Sequence, residues 1–229
     1  QARADVHDQV LATTIRLSRE TEDSDAWRSY TRAFIAEFAA RGGDEYEATV
    51  RDFASSENPD IAWRARRALA ARGLVDADAI EAWRSADGSG EAARMSVEAL
   101  ASLPLEDARS RAWESVYSES LSNDFLTATL AGLNASSWEG VSGLDSAVDR
   151  LRPYWEAHTI GMALRYANGV LAYGLDIDRE GSVERSVGLL RGWLDAHGDA
   201  PAQLRRIVLE HLDAFERDER VQRRWGSGQ

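Results

Sequence analysis

NPDIAWRARRALAARG, residues 58 to 73, holds a helix start, a helix stop and four arginines beside a tryptophan. Asn58 or Asp60 can cap the start, Pro59 suits the first turn, and Gly73 can take the left-handed conformation that ends a helix. Between these signals Ile61, Ala65, Ala68, Leu69 and Arg72 share one face, while Arg64, Arg67 and Ala71 lie on another. Alanines on the buried face let a neighbouring helix come close. Arginine with tryptophan fits three roles: a nucleic-acid surface, a carboxylate-recognition site, or the solvated face of one helix in a stack. The pattern favours the third, with the arginines on the polar face of a packed helix.

The same grammar extends in both directions. From Asp25 the residues Trp27, Tyr30, Phe34, Ile35 and Phe38 recur at helical spacing until Gly42-Gly43 stops them, and Tyr46, Val50 and Phe53 form a second run. Downstream come Ile80 and Trp83, a break at Gly88 to Gly90, then Met95, Ala99 and Leu100, then Ala108, Ala112, Trp113 and Val116. Further segments fall at 120–133, 143–155, 161–174 and 181–198, and the last starts near Pro201 and runs through Leu204, Ile207, Val208, His211, Leu212 and Phe215. Segments of about 11 to 16 residues with short polar breaks read as antiparallel helix pairs. The expected fold is all-α, a HEAT-like α-solenoid of antiparallel helix pairs with an arch or bowl shape, forming one helical-repeat domain over 1–225 with a disordered tail at 226–229. No fixed period can be counted, so a globular helical bundle stands as the alternative.

Composition narrows the chemistry. The formal charge of −12 opposes nucleic-acid binding, which draws on a surplus of basic side chains. All 27 basic residues are arginine, so a Walker A lysine or a Schiff-base lysine has no candidate. With no cysteine there is no thiol nucleophile, disulfide or Cys-ligated zinc. No run approaches the roughly 18 apolar residues of a membrane span, and no membrane partner is expected. The chain opens QARADVHDQ, without an initiator Met, as expected of a fragment or a processed product.

Residue constellations for catalysis are equally sparse. His7, His158, His197 and His211 show no H-E-x-x-H and no helical ligand pair. His211 falls on the buried stripe of its helix, where a core or inter-helix hydrogen bond is its expected role. DGSGE at 87–91 and GVSGLD at 140–145 do not spell a nucleophile elbow and read as helix breaks. Eight tryptophans, roughly one per helix or loop, read as wedges between stacked layers.

Three stretches in order carry a family likeness: NPDIAWRARRALAARGLVDADAI at 58–80 with a downstream DGSG, RAWESVYSESLSNDFLTATLAGL at 111–133, and RGWLDAHGDAPAQLRRIVLEHLDAFERDERVQ at 191–222. Together they resemble the C-terminal HEAT-like helical domain of bacterial zinc aminopeptidases of the aminopeptidase N family, in its actinobacterial form. SLSN at 120–123 and PAQLRRIVLE at 201–210 are the most specific pieces, and the likeness covers nearly the whole chain.

The resemblance implies a non-catalytic domain of a cytoplasmic enzyme. Its partners would be the catalytic domain of the same polypeptide, over which it closes, and peptide substrates that pass through the cavity it walls. Zinc, the H-E-x-x-H helix and the loop that reads the free amine belong to that catalytic domain, so this chain is expected to hold no catalytic, cofactor or metal residue. GMALRYANGVLAYG at 161–174 is similar to a family stretch richer in arginine, and Arg165 falls on the retained position as the possible cavity-facing residue. Gly161 and Asn168 stand where the family has charge, and His211-Leu212 replaces a Gly-Arg pair. A free-standing HEAT-like scaffold for protein binding is the alternative, and an unrelated enzyme a third reading.

Overall fold

The computed structural model describes residues 2–21, 24–118, 121–135, 143–172 and 182–226. Thirteen α-helices and no strand occur among them. The chain falls into two compact units, Gln1–Ser115 with Ala131–Ser137, and Val116–Leu130 with Trp138–Gln229.

In the first unit six helices form three pairs: α1 (Ala2–Glu20) with α2 (Asp25–Arg41), α3 (Glu47–Ala54) with α4 (Pro59–Ala71), and α5 (Ala77–Asp87) with α6 (Gly90–Ser102). Across the pairs α2 packs on α4 and α4 on α6, so the second helices of successive pairs stack side by side. Leu11 and Ile15 of α1 pack with Phe34, Ile35 and Phe38 of α2, Val50 of α3, and Ile61 and Leu69 of α4. Phe34 at the centre meets Tyr46 and Phe53 edge-on, with ring centroids 5.5 and 6.2 Å away. A buried pair of hydroxyls, Ser18 and Thr31 at 2.7 Å, crosses between α1 and α2.

The local signals at 58–73 act as expected. The Asn58 side chain accepts from the main-chain nitrogens of Asp60 and Ile61 at 3.1 and 3.3 Å, meeting two of the donors a helix start leaves open. At the other end Gly73 adopts φ 68°, donates to the Ala70 carbonyl, and lets Leu74 donate back to Leu69, which closes the last turn. The break at 88–90 is built the same way: Gly88 adopts φ 64° and the Ser89 hydroxyl accepts from the Ala92 nitrogen at 3.0 Å.

α4 is covered on more than one side, because α2, α3 and α6 all pack against it. Ile61, Ala65, Ala68 and Leu69 are buried, and so are Ala62, Trp63, Ala70 and Ala71. A helix with one apolar stripe has one neighbour, whereas a helix in the middle of a stack needs apolar or small residues nearly all round. Arg72, expected on the buried face, is exposed past the helix end, and Ala71, expected on the other face, is buried.

α7 (Glu106–Val116) and α8 (Asn123–Ala135) follow, and the second unit continues with α9 (Gly143–Asp149), α10 (Leu151–Ala157), α11 (Ile160–Leu171), α12 (Ser182–Ala196) and α13 (Ala202–Gly226). The segment read as one helix at 143–155 is two. Pro153 has no N–H to offer the Asp149 carbonyl and its ring clashes there, so α9 ends at Asp149 and Pro153 sits in the first turn of α10. α10 pairs with α11 and α12 with α13, while α11 also packs on α9 and α13. Of the tail expected at 226–229, Gly226 ends α13 and 227–229 lie outside the described residues. No helix among the described residues is long and apolar enough to cross a membrane.

Candidate functional site

The four arginines of 58–73 do not share a solvated face. Arg64 bonds Asp60 one turn back at 2.9 Å, and Asp60 also accepts from Arg32 of α2 at 2.9 Å. Burial alone would raise the Asp60 carboxyl, but the hydrogen bonds from Arg32 and Arg64 outweigh it and hold its pKa below the usual carboxylate value. Arg66 is half-buried. Its Nε donates to the Ala54 carbonyl at the end of α3 at 3.0 Å, and its guanidinium lies 4.9 Å from the Trp63 ring centre and 5.4 Å from that of Trp83. Arg67 pairs with Glu98 of α6, which is only 8% exposed. Arg72 lies against the backbone of Gly42, whose φ is 85°. Three of the four therefore link α4 to neighbouring elements. The expectation of one polar face is corrected by the burial of α4 among three neighbours.

Arg165 is exposed on α11, and its one hydrogen bond among the described residues runs to the Gly161 carbonyl a turn earlier, at 3.1 Å. Asn168 also turns inward on its own helix, donating to the Leu164 carbonyl at 2.8 Å. The remaining guanidinium donors of Arg165 can take an anion, and a carboxylate fits the planar fork.

Behind this face lies an aromatic cluster that the sequence reading missed. Tyr154 of α10 stacks on His158 with centroids 3.8 Å apart and on Tyr166 of α11 at 3.9 Å. The Tyr166 hydroxyl donates to the Ala147 carbonyl at 2.9 Å and lies 3.3 Å from the hydroxyl of Tyr117, whose ring carries the Arg150 guanidinium 4.2 Å from its centre. Burial raises the pKa of all three tyrosines, with Tyr154 pushed up to about 12. They are neutral phenols at physiological pH.

The histidines are used singly. His158 and His197 each place Nδ1 against the carbonyl of the aromatic residue one turn back, Tyr154 at 3.0 Å and Trp193 at 2.9 Å, and each stacks its ring on that side chain. His7 pairs with Glu37. His211 is half-buried beside Phe215, with centroids 6.3 Å apart, and burial pushes its pKa down while Glu210 opposes the shift. Among the described residues no group of three or more His, Asp or Glu side chains is placed to hold a metal ion.

Trp63 and Trp193 are buried in their helices, while Trp27, Trp83, Trp113 and Trp155 are half-buried; Trp138 and the side chain of Trp225 lie outside the described residues. Part of GVSGLD, at 140–142, also lies outside them, as does 173–174 of the Arg165 stretch.

The paired His caps expose a repeat. LRPYWEAH at 151–158 and LRGWLDAH at 190–197 share Leu, Arg, an aromatic, an acid, Ala and His in order, and each closes the first helix of a pair. No protein-family model matches the chain, and no curated protein sequence matches it.

Proposed function

We propose that this chain is the non-catalytic C-terminal helical domain of a cytoplasmic zinc aminopeptidase of the aminopeptidase N family, closing over the catalytic domain and shaping the cavity by which peptides reach it. The observation that carries the reading is the order of the three family-like stretches, 58–80, 111–133 and 191–222. They coincide with α4–α5, α7–α8 and α12–α13 of an all-α chain built from paired helices. Paired helices stacked through their second members suit a wall, since such stacks offer broad surfaces without an internal pocket of their own. On this reading Arg165, with guanidinium donors to spare, faces the cavity and takes a carboxylate. Zinc would be held by the catalytic domain.

The gene supplies the first test. An H-E-x-x-H followed by a spaced Glu should precede residue 1 in the same reading frame, and its absence would favour a free-standing helical scaffold. The second is an assay of this chain with aminoacyl chromogenic substrates, with and without added zinc. Background rates are expected, and robust turnover would overturn the accessory role.

A further inference from the structure

Arg66 occupies a site with the make-up of a receptor for an organic cation. Two indole faces, Trp63 and Trp83, lie within cation–π reach of its guanidinium, at 4.9 and 5.4 Å. The Ala54 carbonyl accepts from Nε at 3.0 Å. The carboxylate of Asp87 is fixed by the indole N–H of Trp63 at 3.1 Å and adds an opposite charge nearby. These groups come from α3, α4 and α5, so the site exists only when those elements are packed. A planar guanidinium suits the set, with two π faces and a carbonyl in direct reach and a carboxylate charge acting from further away.

We propose that Trp63, Trp83, Asp87 and the Ala54 carbonyl form a guanidinium-binding site whose resident ligand is the chain's own Arg66. The site selects guanidinium over ammonium, because an ammonium lacks the flat shape that spans both rings and the carbonyl.

The test is chemical rescue of Arg66→Ala. The variant should unfold at a lower temperature than wild type, and millimolar methylguanidinium should raise its midpoint by about 2–4 °C and then saturate. Sodium chloride at equal ionic strength should not do so. Wild type and the double variant Arg66→Ala/Trp83→Ala should gain nothing from methylguanidinium. If Arg66→Ala does not fold unaided, refolding is compared with methylguanidinium and with sodium chloride. Recovery with methylguanidinium alone supports the site. Absence of rescue in either format, or equal rescue of the double variant, overturns it.

Discussion

The guanidinium of Arg205, in the first turn of α13, donates to the main-chain carbonyl of His197 at 2.7 Å and also reaches that of Leu194 at 3.0 Å. The carbonyls at a helix C-terminus have no partner within their own helix. Here the next helix supplies one. Arg66 does the same for Ala54 at the end of α3, and Arg51 reaches the Leu74 carbonyl just beyond α4 at 3.0 Å. Arginine in this chain is as much a fastener of helix ends as a surface charge.

Replacing Arg205 with Ala should cost about 1.5–3 kcal/mol, the range for hydrogen bonds made by a charged group, because the Leu194 carbonyl loses its donor and that of His197 keeps only the Ala200 N–H. Both bonds come from one guanidinium nitrogen, Nη1, so the three donors of an ammonium can in principle serve both carbonyls; Arg205→Lys should recover only part of the loss because its stem is shorter and more flexible. Urea denaturation of the three proteins gives the comparison. Equal stability of Arg205→Lys and wild type would show that a cation near the helix end, and not the reach of the guanidinium, is what matters.

Helix ends were legible in the sequence because their causes are local: Asn58, Gly73, Gly88 and Ser89 act within one turn of themselves. The use of the arginines was not legible, since whether Arg67 meets solvent or Glu98 depends on where α6 packs, some thirty residues away. The division at Asp149 was legible in Pro153 and went unread. The recurrence of LRPYWEAH as LRGWLDAH is hard to see in the sequence because no fixed period runs through it and the signal is confined to two helix ends. The first helix went unread for a different reason. It buries Leu11, Ile15 and Ser18 on one face while Val6 and Val10 are exposed on another, so its apolar pattern is blurred. Arg165 was singled out by resemblance, whereas the tyrosines behind it announce themselves only once α10 and α11 are side by side.

Burial of α4 between its neighbours sets a clear contrast. Leu69 is 1% exposed in the core of the first unit, so Leu69→Ala should cost about 2–5 kcal/mol. Arg64 is paired with Asp60 at the surface, and Arg64→Ala should cost under about 1 kcal/mol. Denaturation midpoints measured side by side check this, and comparable small losses would contradict the placement of α4.

Two helical glycines should respond in opposite senses. A Cβ on Gly132 of α8 would run into the main-chain carbonyl of Glu98 and come within 2.7 Å of the Ala101 Cβ, so α6 and α8 approach closely only because that atom is missing. Gly132→Ala should therefore destabilise by about 1–3 kcal/mol or more. Gly188 of α12 has nothing within 4 Å of the equivalent point, and Gly188→Ala should stabilise by about 0.5–1 kcal/mol through helix propensity. Thermal unfolding distinguishes the two. A neutral Gly132→Ala would mean that the α6–α8 crossing is looser than described.

The tyrosine stack gives a prediction with both a mutational and a pH arm. Tyr154 is 4% exposed and its hydroxyl has no hydrogen-bond partner among the described residues, whereas the Tyr166 hydroxyl donates to Ala147. Removing an unsatisfied buried hydroxyl relieves its desolvation, so Tyr154→Phe should be neutral or stabilising by up to about 1 kcal/mol; Tyr166→Phe orphans a carbonyl and should cost about 1–2 kcal/mol. Burial, with the charge of an ionised Tyr117 adding to it, holds the Tyr154 phenol neutral up to about pH 12. A raised folded pKa contributes stability that is complete below the unfolded tyrosine value of about 10 and is lost as pH climbs through the folded value. Wild type should accordingly weaken across that alkaline window, and Tyr154→Phe should weaken less steeply. Urea midpoints on either side of pH 10, with phenolate absorbance followed in parallel, decide the matter. A Tyr154→Phe variant that loses more than about 1 kcal/mol at neutral pH would reveal a partner for that hydroxyl and remove the basis for the alkaline effect.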